Sequence, residues 1–533
     1  ENLTISGPDT VKQLEAAYFG VSVDGNPNLY TIEWSCEPET AGWFTTPQQA
    51  GTAFVASSLE RVNSLDAVIS VSITSPDGES VTLQKNLTIQ SGLSAESWSI
   101  SIDDSLYVQD VAIDGSDNIY LIGGIDSRTD FDPGPGQDIC SNQGYDSDFL
   151  TSYDSSGNYR WTVMIDQQEQ GQEWMHSVFV TSAGEIIVMG QAGPELHIDR
   201  GDRRWDLTGS ESYDSGHALR FNSDGDFLGY VHFWEYSEFV RGGIYDVNCM
   251  CEDAEGNYYF AGAFSGQLDF DPGPGQTISP FPYGMFVVKM DSGFNTIWAK
   301  IIGCADSIVG DISDMALMPD GNLIAGGYHI YQLTFSTPSE YRDNVTITTG
   351  EDGWFIAVFN SDGDLVMNRL GPGPPAFGGL NLKGLEVDSS GDILAYGVAT
   401  DTDDLDPGEG EYFIEGNETW SPFFVKWQPT LDSVEPMDNF PPISDFIHAG
   451  SGDYYAAGMI IGNYDLDPGP GVENVSLPRM SAYVIRLVED FNLIKHWIVP
   501  YEAGNEPIIA VSGDGNVALA MGSTSPLLVY LGQ

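Results

Sequence analysis

Short apolar runs alternate with turn-forming residues along most of the chain. Seven segments share one pattern, in which a polar turn is followed at once by an apolar strand, as in "GSDNIYLIGG" and "AEGNYYFAGA". Neighbouring copies are separated by 61 to 72 residues. A period of this size indicates a repeat architecture in which one supersecondary unit is used many times. The residues that mark the turns are Asn118, Glu185, Asn257, Asn322, Asp392, Asp453 and Asn516.

Each unit predicts four strands. In the first unit, apolar runs lie before the turn at 110–114, directly after it, at 148–154 and at 158–161. Asp-Gly and Gly-Asn pairs favour tight reversals between such runs, because Gly tolerates a positive φ. Four short antiparallel strands are typical of a propeller blade. The sequence therefore predicts an all-β fold that contains a seven-bladed β-propeller.

The last unit is one strand short, since only three apolar runs precede Gln533. The segment 96–102, "ESWSISI", matches the fourth-strand pattern and carries a Trp, as do the fourth strands with Trp161, Trp298 and Trp497. We expect this segment to complete the seventh blade, because a closed ring hides sheet edges that would otherwise be open to aggregation. The alternative is an open solenoid, but neither end of the array has a polar capping repeat.

Residues 1–92 do not share the period. Their runs of alternating apolar and polar residues, such as "YFGVSV" and "VISVSIT", are separated by Pro, Gly, Asp and Asn. This pattern predicts a small antiparallel β-sandwich, followed by the propeller at 93–533. The stretches "ISGPDTV" and "YTIEWSCEP" resemble the PKD-like and bacterial immunoglobulin-like domains of secreted bacterial proteins, over about 90 residues.

A heptapeptide marks four of the units. "DFDPGPG" occurs at 130–136 and 269–275, "DLDPGEG" at 404–410 and "DLDPGPG" at 465–471. Two Asp at positions i and i+2 point to the same side of an extended strand, and the Pro-Gly turns can add carbonyl oxygens, so a hard cation such as calcium is the natural ligand. The predicted calcium ligands are Asp130, Asp132, Asp269, Asp271, Asp404, Asp406, Asp465 and Asp467.

An alternative interpretation needs no metal. Calcium takes about six to eight oxygen ligands, and two carboxylates with one turn do not obviously supply them. Asp side chains before Pro-Gly commonly accept hydrogen bonds from turn amides, which would make each heptapeptide a rigid, self-closed loop. The second and fourth units carry "HIDRGDR" at 197–203 and "TFSTPSE" at 334–340 instead, so no such ion is expected there.

A second group of carboxylates recurs on the first strand of the units. Aligned on the turns, Asp110, Asp314 and Asp445 share one position that can face a central channel. Hydrogen bonds to a neighbouring strand explain them as well as a channel ion does, and we favour the hydrogen bonds. The other units place Ser177, Cys249, Gly384 and Ile508 there.

The net charge of the chain limits the classes of binding partner that we expect. There are 79 Asp and Glu against 19 Lys and Arg, a formal net charge of -60, which disfavours nucleic acid and anionic membrane surfaces. No apolar run approaches the roughly 18 residues of a membrane span. The chain opens on "ENLTISGPDT", without an initiator Met or a signal-like segment, which fits a trimmed export product at an extracellular or cell-surface location. Five cysteines suggest neither a disulfide framework nor zinc.

The sequence contains no GxSxG, HExxH, phosphate-loop or dinucleotide motif, so an enzyme is not the expectation. Trp234, Trp354 and Trp420 fall outside the periodic positions and are candidates for a sugar-stacking platform. The alternative function is a glycoside hydrolase or polysaccharide lyase that uses carboxylates on the loop face.

The stretches "GNYYFAGAFSGQLDFDPGPG" at 256–275 and "MFVVKMDSGFNTIWAK" at 285–300 resemble secreted seven-bladed repeat proteins of Bacteroidetes and Planctomycetes. The resemblance covers residues 98–533 and implies location and architecture more than activity. The expected function is a secreted or cell-surface scaffold for protein or glycan contacts. The N-terminal domain would be either a spacer or a docking element for a neighbouring copy, and docking would allow assembly into a surface layer or filament. A calcium-dependent adhesin is a third hypothesis.

Overall fold

A computed structural model of the chain is all-β. The model describes residues 3–532 except for 13–15, 24–26, 39–40, 45–46, 57–63, 91–96, 103–105, 142–146, 168–173, 193–194, 209–214, 233, 236–243, 266–267, 272–277, 280, 282, 304–309, 330–331, 338–339, 349–352, 373–380, 400–403, 414–420, 438, 501–505 and 523–526. Within these residues the only helix is a single 3-10 turn at Pro27–Leu29. No described helix has the length and apolar character needed to cross a membrane.

The first eight strands form two four-stranded sheets. One sheet has the order β1-β3-β6-β5 and the other β2-β8-β7-β4. The strands are β1 (Ile5–Ser6), β2 (Thr10–Lys12), β3 (Ala16–Val21), β4 (Thr31–Glu37), β5 (Gly42–Phe44), β6 (Gly51–Ala56), β7 (Ser64–Thr74) and β8 (Ser80–Gln90).

The two N-terminal sheets pack face to face around one core. Phe19 and Phe54 come from one sheet, Trp34 and Ile69 from the other, and all four are buried in the same cluster. Strand β4 alternates exposed and buried residues, the pattern of a strand with one face in the core. The sequence predicted a purely antiparallel sandwich, whereas β2 pairs with β8 in parallel. These strands lie at opposite ends of the segment, so no tight turn between them imposes an antiparallel pairing.

From Trp98 onward the described residues form seven sheets that are each built on a meander of four antiparallel strands, and two further sheets of two short strands each. The strands of the first three units are β9 (Trp98–Ser101), β10 (Leu106–Ile113), β11 (Ile119–Ile125), β12 (Thr129–Asp130), β13 (Ile139–Cys140), β14 (Ser147–Tyr153), β15 (Tyr159–Gln167), β16 (Trp174–Val180), β17 (Ile186–Ala192), β18 (Glu195–Asp199), β19 (Arg204–Thr208), β20 (Ser215–Phe221), β21 (Phe227–His232), β22 (Trp234–Glu235), β23 (Ile244–Glu252), β24 (Tyr258–Ser265), β25 (Leu268–Asp269), β26 (Tyr283–Met290) and β27 (Thr296–Gly303).

The remaining units continue the same plan. Their strands are β28 (Gly310–Leu317), β29 (Leu323–His329), β30 (Gln332–Thr337), β31 (Glu340–Thr348), β32 (Gly353–Phe359), β33 (Leu365–Pro372), β34 (Asn381–Val387), β35 (Ile393–Ala399), β36 (Ser421–Trp427), β37 (Val434–Pro436), β38 (Asp445–His448), β39 (Tyr454–Asp465), β40 (Asn474–Leu487), β41 (Leu493–Pro500), β42 (Ile508–Val511), β43 (Val517–Met521) and β44 (Leu527–Leu531).

The seven meanders are arranged as in a propeller. Their orders are β10-β11-β14-β15, β16-β17-β20-β21, β23-β24-β26-β27, β28-β29-β32-β33, β34-β35-β36-β37, β38-β39-β40-β41 and β42-β43-β44-β9. The first strand of each sheet contacts the first strand of the next, and β42 of the seventh sheet contacts β10 of the first. Leu121 and Phe149 of the first sheet share a buried cluster with Ala518 and Leu528 of the last. Contacts therefore link each of these sheets to the next along the chain, and the last to the first.

The segment in which the sequence placed a closing strand contains β9, which pairs with β44. Trp98 of β9 stacks on Tyr530 with ring centroids 5.5 Å apart. Its Nε1 donates to the Ser155 carbonyl of the first sheet at 2.7 Å, and a Cβ on Gly157 would come within 2.9 Å of its indole. The same outer contact recurs between other neighbouring sheets, where Nε1 of Trp161 donates to the Ser223 carbonyl at 3.1 Å and that of Trp298 to the Ser361 carbonyl at 3.0 Å.

Two units, the second and the fourth, have a hairpin in place of the heptapeptide. In the second unit β18 and β19 leave their own sheet, and β18 pairs with β15 of the first. In the fourth unit β30 and β31 extend the third sheet by pairing with β27. The first and third sheets thus have six strands. "HIDRGDR" and "TFSTPSE" depart from the heptapeptide because they belong to these hairpins.

Candidate functional site

The heptapeptides of the first, fifth and sixth sheets form corners between the second and third strands, and of the one in the third sheet the structure describes only residues 269–271. The residue between the two Asp is fully buried in each, as Phe131, Phe270, Leu405 and Leu466. Its backbone is also held: the Phe131 carbonyl accepts from the Tyr153 hydroxyl at 2.9 Å, and the Leu405 carbonyl from Trp427 Nε1 at 2.9 Å. Burial of a large apolar side chain fixes the two flanking carboxylates at the corner.

The carboxylate of the first Asp in the heptapeptide accepts hydrogen bonds from backbone amides of its own loop. Oδ1 of Asp404 accepts hydrogen bonds from the amides of Asp406 at 3.0 Å and Tyr412 at 2.8 Å. Oδ1 of Asp130 bonds the amides of residues 132 and 138 in the same way, at 3.2 and 2.9 Å, and Oδ1 of Asp465 those of residues 467 and 473, at 3.1 and 2.7 Å. In the third sheet, Oδ1 of Asp269 bonds the amide of residue 271 at 3.1 Å.

The side chain of the second Asp explains why the fifth and seventh positions of the heptapeptide are glycine. Oδ1 of Asp406 accepts from the Gly408 amide at 2.7 Å, and that of Asp467 from the Gly469 amide at 2.9 Å. The other oxygen lies against the last Gly: a Cβ on Gly410 would be 2.1 Å from Oδ2 of Asp406. The same distance is 2.0 Å for Gly136 and Asp132, and 1.9 Å for Gly471 and Asp467. Any other residue in the seventh position would collide with the carboxylate.

These contacts bear on the predicted calcium ligands. Each corner brings its own pair of Asp together, but an oxygen of each first Asp is already occupied by backbone amides. Within the described ranges, no group of three or more His, Cys, Asp or Glu is arranged to hold a metal ion. The geometry favours the self-closed turn, and calcium at the corners stays a prediction.

The inner carboxylates join neighbouring sheets. Oδ2 of Asp110 accepts from the Val178 amide at 2.8 Å, so the first sheet is bonded to the second. Oδ2 of Asp314 accepts from the Leu385 amide at 2.8 Å, between the fourth and fifth sheets. The interpretation that these carboxylates bond a neighbouring strand is confirmed. Oδ2 of Asp445 accepts from the amide of Ile509 at 2.8 Å, between the sixth and seventh sheets.

Burial makes these inner carboxyls hard to ionise. It raises the pKa of Asp110 to about 6 and that of Asp314 to about 7, although backbone amides bonded to both carboxylates act in the opposite direction. The pKa of Asp445 is raised by burial as well. Burial and the nearby Asp314 charge raise the pKa of Glu386 well above its ordinary value. The centre of the ring therefore carries less negative charge at neutral pH than its carboxyl count implies.

The three Trp residues proposed as a sugar-stacking platform lie in different environments, and the structure describes the side chain of only one of them. Trp354 is 1% exposed and stacks on Trp427 with centroids 5.5 Å apart, so the expectation that it forms a sugar platform was wrong. It lies on β32, whose side chains pack between the fourth and fifth sheets, and its Nε1 donates to the Asp404 carbonyl at 2.9 Å. Trp234 lies in β22, opposite Asp269, and its side chain is outside the description. Trp420 lies outside the described residues.

A pocket opens where the fifth sheet departs from the repeat. Its fourth strand, β37, has three residues and pairs only with Val425–Trp427 of β36. The Met437 amide then donates to the Phe424 carbonyl at 3.1 Å, and the chain turns away. A cavity of about 450 Å³ lies beside this incomplete edge. Its walls include Tyr412, Phe413, Phe423, Val425, Phe440 and Pro441.

The heptapeptide positions part of this pocket. The Tyr412 amide is held by Asp404, and the Leu405 amide donates to the Tyr412 carbonyl at 2.8 Å. Phe413 follows and is 43% exposed. On the other wall Phe440 packs edge to face on Phe424, with centroids 4.4 Å apart. Rigid aromatic side chains thus face the cavity from two separate segments.

The repeat pattern of the sequence did not predict this pocket. A usable signal was present: the fifth unit reads "VEPMDNFPP" at 434–442, where the other units have an uninterrupted fourth strand. Proline has no amide hydrogen to donate, so this composition ends a strand. The departure from the repeat, not the repeat itself, marked the site.

Comparisons with known proteins do not name a relative. No protein-family model and no curated protein match the chain. Among solved structures it is similar to a protein of unknown function from Bacteroides caccae, at 10% identity over 66% of this chain and 89% of that one, with a TM-score of 0.32. It is also similar to rhamnogalacturonan lyase YesW, at 10% identity over 99% of this chain and 88% of that one, with a TM-score of 0.36. A putative gluconolactonase matches at 13% identity over 68% of this chain and 90% of that one, with a TM-score of 0.27. At such TM-scores these similarities carry no argument about activity.

Proposed function

We propose that the chain is an extracellular or cell-surface binding scaffold, built as a seven-bladed propeller with an immunoglobulin-like domain before it. The cyclic order of the first strands and the pairing of β9 with β44 support the propeller. The two packed sheets of the first eight strands support the N-terminal domain. A propeller is a rigid support, so its function depends on the site that it carries.

The single observation that carries the binding function is the pocket beside the fifth sheet. Pockets of roughly 300–1,000 Å³ are the usual sites for small ligands. This one is about 450 Å³ and lies at the place where the blade plan is interrupted. No carboxylate belongs to its described lining, so the pocket gives the hydrolase or lyase alternative no support.

A fragment screen tests this function without assuming a ligand. Fluorinated fragments would be observed by ¹⁹F NMR with the wild-type chain, with Phe413→Ala in the pocket and with Val472→Ala as control. Val472 is exposed and occupies an equivalent loop in the sixth sheet, so its removal matches the loss of a surface apolar side chain. We expect hits that Phe413→Ala weakens and Val472→Ala does not. A screen whose hits are all insensitive to Phe413→Ala would count against a ligand site here.

Self-assembly through the N-terminal domain is the second part of the proposal. Tyr18 is 70% exposed and Leu29 is 63% exposed, so both side chains are accessible to a second copy. Sedimentation of the full chain over a wide concentration range tests it. We expect larger species that Tyr18→Ser shifts to the monomer. A monomer at every concentration would refute assembly and leave the ligand site untouched.

A further inference from the structure

We infer that the pocket beside the fifth sheet binds an organic ammonium ion with an apolar body. The inference rests on the proposed function, which makes the pocket a ligand site, and adds the chemical class of the ligand. Three features carry it: the aromatic walls, the hydrogen-bond acceptors at the edge, and the local charge.

Aromatic side chains supply the walls. Phe413 is exposed, Tyr412 and Phe440 are half-buried, and all three line the cavity from two separate segments. The face of an aromatic ring carries negative potential and attracts a cation, most strongly when water is excluded. Quaternary ammonium groups are recognised in this way because their methyl groups contact the rings while their charge interacts with the π-system.

The described polar groups at the edge of the pocket include several hydrogen-bond acceptors. Pro422 and Pro441 have no amide hydrogen. The Phe424 carbonyl faces the outer edge of β36, where it accepts from Met437, and backbone groups two residues apart face the same side. The Pro422 carbonyl therefore faces that edge too. The Tyr412 amide is already bonded to Asp404.

This set of groups discriminates between ligand classes. A carboxylate or phosphate is repelled by the negative charge around the pocket. A sugar needs both donors and acceptors for its hydroxyl groups, and an apolar wall alone does not replace them. An ammonium ion needs only acceptors and ring faces. The lining therefore matches a cation with an apolar body.

The charge around the pocket has the complementary sign. Between residues 401 and 445 there are twelve acidic residues and one basic residue, Lys426. The Nζ of Lys426 lies 2.6 Å from Asp392, so its charge is paired. Glu411, next to Tyr412 in sequence, is exposed, as is Glu435 at the end of the blade. A concentrated negative field raises the local concentration of cations and repels anions.

The test compares a cation with its neutral isostere. Choline and 3,3-dimethylbutan-1-ol have the same shape and differ in the charge of one central atom. Binding of each, and of benzyltrimethylammonium, would be measured by ligand-observed NMR and calorimetry with the wild-type chain. We expect choline to bind about tenfold more tightly than the alcohol, the ratio that a desolvated cation–π contact provides. Benzyltrimethylammonium, with its larger apolar body, is expected to bind more tightly than choline.

Substitutions of pocket residues show whether the ammonium probes bind in the pocket. Phe413→Ala is expected to weaken both ammonium probes at least fivefold, with Val472→Ala as the unaffected control. Glu411→Gln leaves the walls intact and is expected to weaken choline a few-fold without changing the alcohol. Equal binding of choline and the alcohol would overturn the ammonium inference, while sensitivity of both to Phe413→Ala would keep the pocket as a ligand site. No binding of either ammonium probe, or binding insensitive to both pocket variants, would also overturn it.

Discussion

Replacing Asp314 by asparagine is expected to flatten the dependence of stability on pH. The carboxylate of Asp314 bonds the amides of Met315 and Leu385, the second of which belongs to the next sheet. Burial raises its pKa to about 7. Because the folded state holds this proton more tightly than the unfolded chain, the stabilisation is fully present below about pH 4 and is lost as the pH rises through about 7.

The magnitude follows from the two pKa values. Between pH 5 and pH 8, a carboxyl with a pKa of about 7 when folded and about 4 when unfolded changes the free energy of unfolding by at most about 3 kcal/mol. Asp314 is half-buried, so solvent screening reduces this to about 1–2 kcal/mol. The asparagine variant does not titrate. It keeps one acceptor for two amides, which costs about 1–2 kcal/mol at acid pH.

The assay is urea unfolding at several pH values from 5 to 8, followed by tryptophan fluorescence. Asp314→Asn should be less stable than the wild type at pH 5, and the difference should nearly vanish at pH 8. Asp362→Asn removes the same formal charge from an exposed turn in the same sheet and controls for the change in net charge. Two parallel curves, with a constant difference from pH 5 to pH 8, would show that the pKa of Asp314 is not raised.

Three further predictions concern the corners and the closure of the ring. Gly471→Ala should lower the free energy of unfolding by about 2 kcal/mol or more, because its Cβ would be 1.9 Å from Oδ2 of Asp467, whereas Gly450→Ala, with open space around it, should change little in urea titrations. If the corners are self-closed turns, calcium and a chelator should give the same melting temperature; a large calcium stabilisation with about four ions per chain would make them cation sites. Trp98→Ala should cost about 3 kcal/mol or more, because this side chain is buried against both the last and the first sheets; a melting temperature equal to that of the wild type would contradict that role.

Features that recur could be predicted from the sequence. The seven turns, and the shared position of Asp110, Asp314 and Asp445, correspond to matching registers: these residues lie opposite Ile122, Gly326 and Ala457, each four residues after the marker of its turn. Periodicity makes such positions readable because each unit repeats the same hydrogen-bond pattern.

Features that depend on a neighbouring sheet could not be predicted. The sequence does not say that Trp354 lies between two sheets, or that the hairpin of the second unit pairs with β15. The sequence also does not decide whether the heptapeptide binds calcium or is only a turn. A carboxylate that bonds turn amides and one that ligates calcium use the same oxygens. The pocket was missed for a different reason. It arises where the fifth unit breaks the pattern, and a search for similarity passes over such breaks.

The pairing of β9 with β44 has a consequence for biosynthesis. Ser101 lies opposite Leu527, 426 positions later in the chain. Strand β9 therefore has no partner until the residues of β44 have been synthesised. Contacts so distant in sequence form slowly, and an unpaired strand edge can associate with other chains in the meantime. A chain that ends between Pro500 and Leu527 would thus keep six sheets but leave β9 without its partner, a form prone to joining its neighbours edge to edge.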